Sequence, residues 1–332
     1  MPDENIVLYH YAYSPYARRI VWYLTLRGIP YAECVQPPMM PRPDIARLGI
    51  EHRRIPILSI GRDVYLDSRL QLQKLENLST SAPRLGARGA DQRAVERLLC
   101  SLMTDAGVFA WAAALLPADL PLLQDPAFQR DREDYFGDVR TAEADARVQP
   151  VALRELASVF KLLETTLLAD NRDWVLNTER PGLADIEAVW PLHWMAGIPG
   201  ALPRESFSPS AYPKVYAWME RFRGAVRAAG RRLGTPRRLS GQEAARLIVG
   251  SAYHEAEGAV DATDFEVASL RLVKGDRVTV GPTDFGSGRR DVATLVGIDD
   301  EQVVFETKGE DGTVRVHAPR HGFRLGKAEA RL

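Results

Sequence analysis

Hydrophobic and polar positions divide the chain into three regions with different periods. In the first, NIVLYHY (5–11) is apolar, aromatic and too short for a helix, so it predicts a buried strand. From Pro15 the spacing turns helical. Ile20, Val21 and Leu24, with Tyr23, line one face, Arg18, Arg19 and Arg27 line the other, and Gly28 suits the helix end. IPYAECVQ (29–36) predicts a second strand, and the proline-rich 37–49 segment a loop with at most one helical turn. IPILSI (55–60), a Gly-Arg-Asp turn and VYLD (64–67) predict a hairpin, followed by a helix from Ser68. The order is β-α-β-(α)-β-β-α.

After a linker at 81–89, periodic segments such as AVERLLCSLMTDAGVFAWAAALL and YPKVYAWMERFRGAVRAAG predict a helical bundle over 88–232. The pattern changes again in residues 236–332. Ser240 and Glu243 form a capping box for a short helix. Alternation then predicts strands in SLRLV, DRVTVGP, VATLVGID, EQVVFET, TVRVHA and GFRL, with turns at 274–276 and 309–312. These read as a small antiparallel barrel or sandwich.

A length of 332 residues allows two or three domains with sizeable cores. A net charge of −1 argues against broad electrostatic binding to nucleic acid or anionic membrane, and neither is expected as a partner. No stretch is apolar for the roughly 18 residues a membrane span needs, and the acidic start does not resemble a signal peptide. Cys34 and Cys100 are too few for a disulfide framework and lack metal-ligand spacing. A cytoplasmic location and no metal are the expectations.

Three local features bear on chemistry. Ser14-Pro15 joins the first strand to the first helix, where both are preferred capping residues. The same helix N-terminus favours an anion such as a thiolate, to which a hydroxyl can donate. Pro56 opens a strand, which suits either an edge or a cis bond that frees the Ile55 backbone for a peptide-like ligand. Asp67-Ser68 offers a carboxylate and a hydroxyl where the next helix starts; singly, it too reads as a cap.

Taken together, SPYARR, HRRIPIL and LDS in this order resemble the thioredoxin-like domain of cytosolic glutathione S-transferases, with a Ser-type, tau-like or omega-like pattern. DWVLNTERPGLADIEAVWPLHW (173–194) is similar to the family's capping-box segment, with Gly182 at the cap and Asp185 bonding back. The resemblance spans residues 5 to 230. It implies an α+β multi-domain chain. Residues 1–80 form the thioredoxin-like glutathione-binding domain and 88–232 the helical transferase domain, while 236–332 add an extension with a small SH3-like β-barrel. Fungal-type members of the superfamily with such tails, tied to secondary metabolism or detoxification, offer the comparison for the extension.

The resemblance also implies roles. Ser14 would bond the glutathione sulfur and hold it as thiolate, with Tyr16 beside it. Tyr13 is the alternative partner, as a phenol at the end of the first strand, although the Ser-Pro-aromatic order favours Ser14. Ile55, before a cis Pro56, would pair with the cysteinyl backbone, Arg54 would approach a carboxylate, and Arg53 would face solvent. Asp67 and Ser68 would take the γ-glutamyl ammonium and carboxylate. Met103, Phe109 and Trp111 would line a pocket for an apolar electrophile between the domains; at helical spacing they equally suit core packing. The partners implied are glutathione, that electrophile and a second copy of the chain in a homodimer. The alternatives are a glutathione-dependent isomerase and a non-catalytic carrier or scaffold. Arg69 favours the latter, because the family usually has an apolar residue there.

Overall fold

The computed structural model describes residues 5–137 and 142–328. The first region folds as β1 (Ile6–His10), α1 (Pro15–Arg27), β2 (Ala32–Val35), a single turn α2 (Pro43–Ala46), β3 (Ile57–Ile60), β4 (Asp63–Tyr65) and α3 (Ser68–Asn77). Gly28 ends α1 with φ +67, a left-handed conformation that glycine adopts without a Cβ clash. β1 pairs in parallel with β2 and antiparallel with β3, which pairs antiparallel with β4. This is the expected thioredoxin-like order.

Helices α4 (Ala90–Thr104), α5 (Val108–Ala114), α6 (Pro121–Gln124), α7 (Pro126–Phe136), α8 (Ala142–Leu162), α9 (Leu183–Ala196) and α10 (Pro213–Leu233) follow. A π-helical turn, Leu163–Leu167, extends α8. α9 is buried along nearly its whole length, so it shows no polar face. Its start is fixed by Asp185, which accepts from the N–H of Gly182 (2.9 Å), from the N–H of Val175 (2.9 Å) and from Trp218 Nε1 (2.8 Å). Of the described helices, none is long and apolar enough to cross a membrane.

The extension holds β5 (Arg237–Arg238), α11 (Gly241–Val249), α12 (Phe265–Leu270), β6 (Arg277–Pro282), β7 (Asp291–Ile298), β8 (Gln302–Lys308), β9 (Thr313–Pro319) and β10 (Phe323–Lys327). The capping box at Ser240 and Glu243 is present. SLRLV, expected as a strand, instead begins inside α12. Asp264 accepts from the N–H groups of Glu266 and Val267, and that cap sets a helix where apolar alternation suggested a strand.

The extension does not stand apart. β9 pairs in parallel with β4, and β5 pairs in parallel with β2. One ten-stranded sheet results, in the order β10-β6-β7-β8-β9-β4-β3-β1-β2-β5. A single apolar core accordingly runs from Val7 and Val64 to Phe305 and Val316.

Two expectations for α1 need correction. Arg19 and Arg27 are buried, and of the three arginines only Arg18 faces solvent. α1 is packed between the sheet, α3 and the helical domain, so an arginine there has to find partners inside. Arg27 donates to the carbonyls of Leu75 and Leu78 and to the Tyr23 hydroxyl.

Candidate active site

Register brings the expected residues to one end of the sheet. Tyr9 near the end of β1 faces Ile57 at the start of β3, and Leu58 faces Tyr65 at the end of β4. Both α1 and α3 therefore begin where β3 begins. Ser14 caps α1 and is 2% exposed. Its Oγ accepts from Ala17 N–H at 3.3 Å, leaving the hydroxyl proton to be donated elsewhere. The Ile55–Pro56 bond is cis. Ile55 lies just outside the β3 ladder. Gln71 of α3 donates to the carbonyls of Pro56 (2.8 Å) and Tyr65 (2.9 Å), tying this loop to the helix. Asp67 caps α3 with φ +62, a strained conformation for a non-glycine residue.

Most charges here already have partners. Asp67 accepts from the Arg69 N–H at 2.9 Å and from its guanidinium at 3.0 and 3.1 Å. Burial raises the Asp67 pKa, but the charge and hydrogen bonds of Arg69 outweigh it and hold the group at about 2. Arg69 reaches on to Asp105 (2.7 Å), which also meets His321 of the extension (3.2 Å). Ser68 Oγ accepts from Arg19 Nη1 at 2.7 Å, and Arg19 is paired with Glu187 of α9. Arg54 is held by Asp284 and by the Phe285 carbonyl, in the β6–β7 loop. Arg53, expected in solvent, is buried against α7. It pairs with Asp131 (2.8 Å) and Asp134 and lies over the Tyr135 ring. Its guanidinium has no open path outward because α7 and the extension close over this side.

Residues 8–83 match the family model of the glutathione S-transferase N-terminal domain. That segment, about a quarter of the chain, is a glutathione S-transferase N-terminal domain by this match. Residues 111–231 match a second family model, described as a domain of unknown function (DUF7962). No curated protein matches the sequence. A solved GST-like protein from Pseudomonas syringae is 22% identical with a TM-score of 0.69, over 98% of this chain and 100% of that one. That coverage takes in the extension as well as the two regions before it. Rice GST1 (OsGSTU1), solved in complex with glutathione, is 21% identical with a TM-score of 0.51, over 70% of this chain and 94% of that one. The beta-etherase LigF from Sphingobium sp. strain SYK-6 is 15% identical with a TM-score of 0.51, over 69% and 99% respectively. These likenesses establish the fold.

The aromatic residues around this site divide. Tyr16 packs against Phe109 (4.7 Å between centroids) and Trp190 (4.7 Å), and Phe109 also stacks on Trp194 (5.5 Å). Burial pushes the Tyr16 pKa up, with Tyr135 and Asp67 adding to the rise and Arg19 and Arg54 opposing it. Tyr16 therefore lies within electrostatic reach of all four. Tyr13 is 51% exposed, its ring on Tyr11 at 4.9 Å. Phe109 and Trp111 are half-buried on α5, whereas Met103 is wholly buried in the core of the helical domain and presents no surface to a cleft.

The sequence reading missed Arg19, Glu187, Tyr135 and Asp284. Only Glu187 carried a signal: beside the capping Asp185, it is a second carboxylate inside the apolar run LADIEAVWPLHW, which asks for a buried cation.

Proposed function

We propose that the protein binds glutathione at the shared N-termini of α1 and α3 and holds its sulfur as a thiolate beside Ser14. The thiolate then attacks an electrophilic carbon of an apolar second substrate. The observation that carries this reading is the placement of Ser14 at a buried helix N-terminus, at the same end of the sheet as cis-Pro56 and Asp67-Ser68.

The chemistry follows from charge. The α1 N-terminus presents its positive dipole end and unpaired N–H groups, which favour an anion, and the Ser14 hydroxyl supplies one further donor. A donor to the charged form lowers a thiol's pKa. A shift from about 9 toward 6–7 makes most bound thiol reactive at neutral pH. The sulfur lone pair forms the C–S bond, while the displaced electron pair leaves with the departing group or takes up a proton from water. Ile55, outside the ladder, is available to pair with a peptide-like backbone, and Asp67 with an ammonium once Arg69 shifts. Tyr16, Phe109 and Trp111 supply an apolar wall for the electrophile. Tyr13 is the weaker partner for sulfur, because it is exposed and its pKa is raised.

A second reading, a non-catalytic carrier or scaffold, is favoured by one observation: Asp67 and Arg54 are already neutralised within the chain. A homodimer has to form away from the β4 edge, because β9 occupies it.

Titrating glutathione bound to the purified protein, by thiolate absorbance in the ultraviolet against pH, separates the readings. A thiol pKa well below the free value supports the enzyme. Binding without thiolate formation supports the carrier. Absence of binding removes the enzyme reading.

A further inference from the structure

The β6–β7 loop, residues 283–290, reaches from the extension onto the first domain. Arg54 Nη2 meets Asp284 Oδ1, and Arg54 Nε donates to the Phe285 carbonyl at 3.1 Å. Gly286 N–H donates to the Tyr135 carbonyl at 2.8 Å, and the Phe285 ring packs on Phe136 at 4.9 Å. Gly286 has φ +72, and a Cβ there would lie 2.8 Å from the Tyr135 ring and 3.1 Å from Arg53 Cδ. The loop is thus seated closely between Arg54 and α7. The Asp284 carboxylate itself remains 57% exposed.

We infer that Asp284 is a built-in competitor for Arg54, occupying the position that the carboxylate of a thiol ligand would take and thereby setting which ligand the site prefers. The inference rests on the glutathione reading above. Asp284 and the Phe285 carbonyl take up the Nε–Nη2 edge of Arg54, so a carboxylate arriving at that edge has to displace Asp284. An exposed ion pair is weak enough to be displaced by a ligand. Wild-type protein therefore discriminates little between glutathione and its glycyl ethyl ester, which lacks that terminal charge. The loop also makes this site depend on the third region of the chain, some 230 residues beyond Arg54.

Calorimetric binding of glutathione and of its glycyl ethyl ester to wild type, Asp284→Asn and Phe285→Ala tests the inference. Removing the Asp284 charge should tighten glutathione binding about two- to fivefold while leaving the ester unchanged. Phe285→Ala, which loosens the loop without touching Arg54's charge partner, should move glutathione in the same direction by less. Unchanged glutathione affinity in Asp284→Asn overturns the competitor role, as does an equal change for both ligands. If no variant binds either ligand, the glutathione reading itself falls, and the inference with it.

Discussion

Arg19 of α1 is wholly buried and pairs with Glu187 of α9, joining the first domain to the helical domain. The same guanidinium holds Ser68 at 2.7 Å and lies 5.4 Å from the centroid of the Trp190 ring. A buried ion pair has little net worth, yet breaking it leaves one charge stranded. Arg19→Ala should cost about 3–5 kcal/mol by denaturant unfolding. The double change Arg19→Met with Glu187→Leu should recover most of that. A double variant as unstable as Arg19→Ala would show that the pair is not what Arg19 contributes. Ser68 loses its partner in both variants, so glutathione affinity should fall in the double variant even where stability returns.

Ser14 serves both as cap and as the proposed sulfur partner, and the two roles separate experimentally. Ser14→Ala should lose about 1 kcal/mol of stability, the ordinary cost of an N-cap. It should also return the bound thiol toward its free pKa while keeping glutathione bound. Tyr13→Phe should leave that pKa where it is. The reverse pattern in the ultraviolet titration would transfer the role to Tyr13.

Asp291 opens β7 and accepts from the Glu51 N–H at 2.6 Å, just upstream of Arg53 and Arg54. Burial pushes its pKa up to about 7, with the N–H groups of Glu51 and His52 opposing. The folded state therefore holds this proton more tightly than the unfolded chain does. Its contribution is fully present below about pH 4 and is lost as pH rises to about 7, roughly 4 kcal/mol at most. Asp291→Asn keeps an acceptor for Glu51 and cannot ionise. Its stability relative to wild type should rise across that window and level off above it. A pH-independent difference between the two proteins would rule this out.

Asp63 on β4 ties the extension to the first domain. Its buried carboxylate accepts from Arg315 (3.0 Å), from His317 Nε2 (2.9 Å) and from the N–H groups of His254 (2.7 Å) and Glu255 (2.9 Å). Asp63→Ala strands the Arg315 cation and should cost about 3–5 kcal/mol. Limited proteolysis should then cut the 250–275 segment well before the rest of the chain. Wild-type resistance in the variant would show that apolar packing across β4 and β9 suffices by itself.

Much of the site was legible because its signals are local. A cap bonds within three residues of itself, a proline restricts its own peptide bond, and a hairpin is written in its turn. Ser14, Pro56 and Asp67-Ser68 could thus be read from neighbouring letters, and the structure sets them at one end of the sheet. Arg19 and Arg27 of α1 were misread for the complementary reason. Helical spacing tells which residues share a face but not whether that face meets solvent or another domain.

The sequence by itself determined the order of elements in the first region and the helix starts at Ser14, Asp67, Gly182 and Ser240. Each of these depends on interactions within a few residues. Only the tertiary structure decided that β9 joins β4, that Arg19 finds Glu187, and that Asp284 stands on Arg54. Those partners are separated by 168 to about 250 residues. Charge complementarity and sheet pairing operate through space, and nothing in their spacing along the chain records which groups will meet.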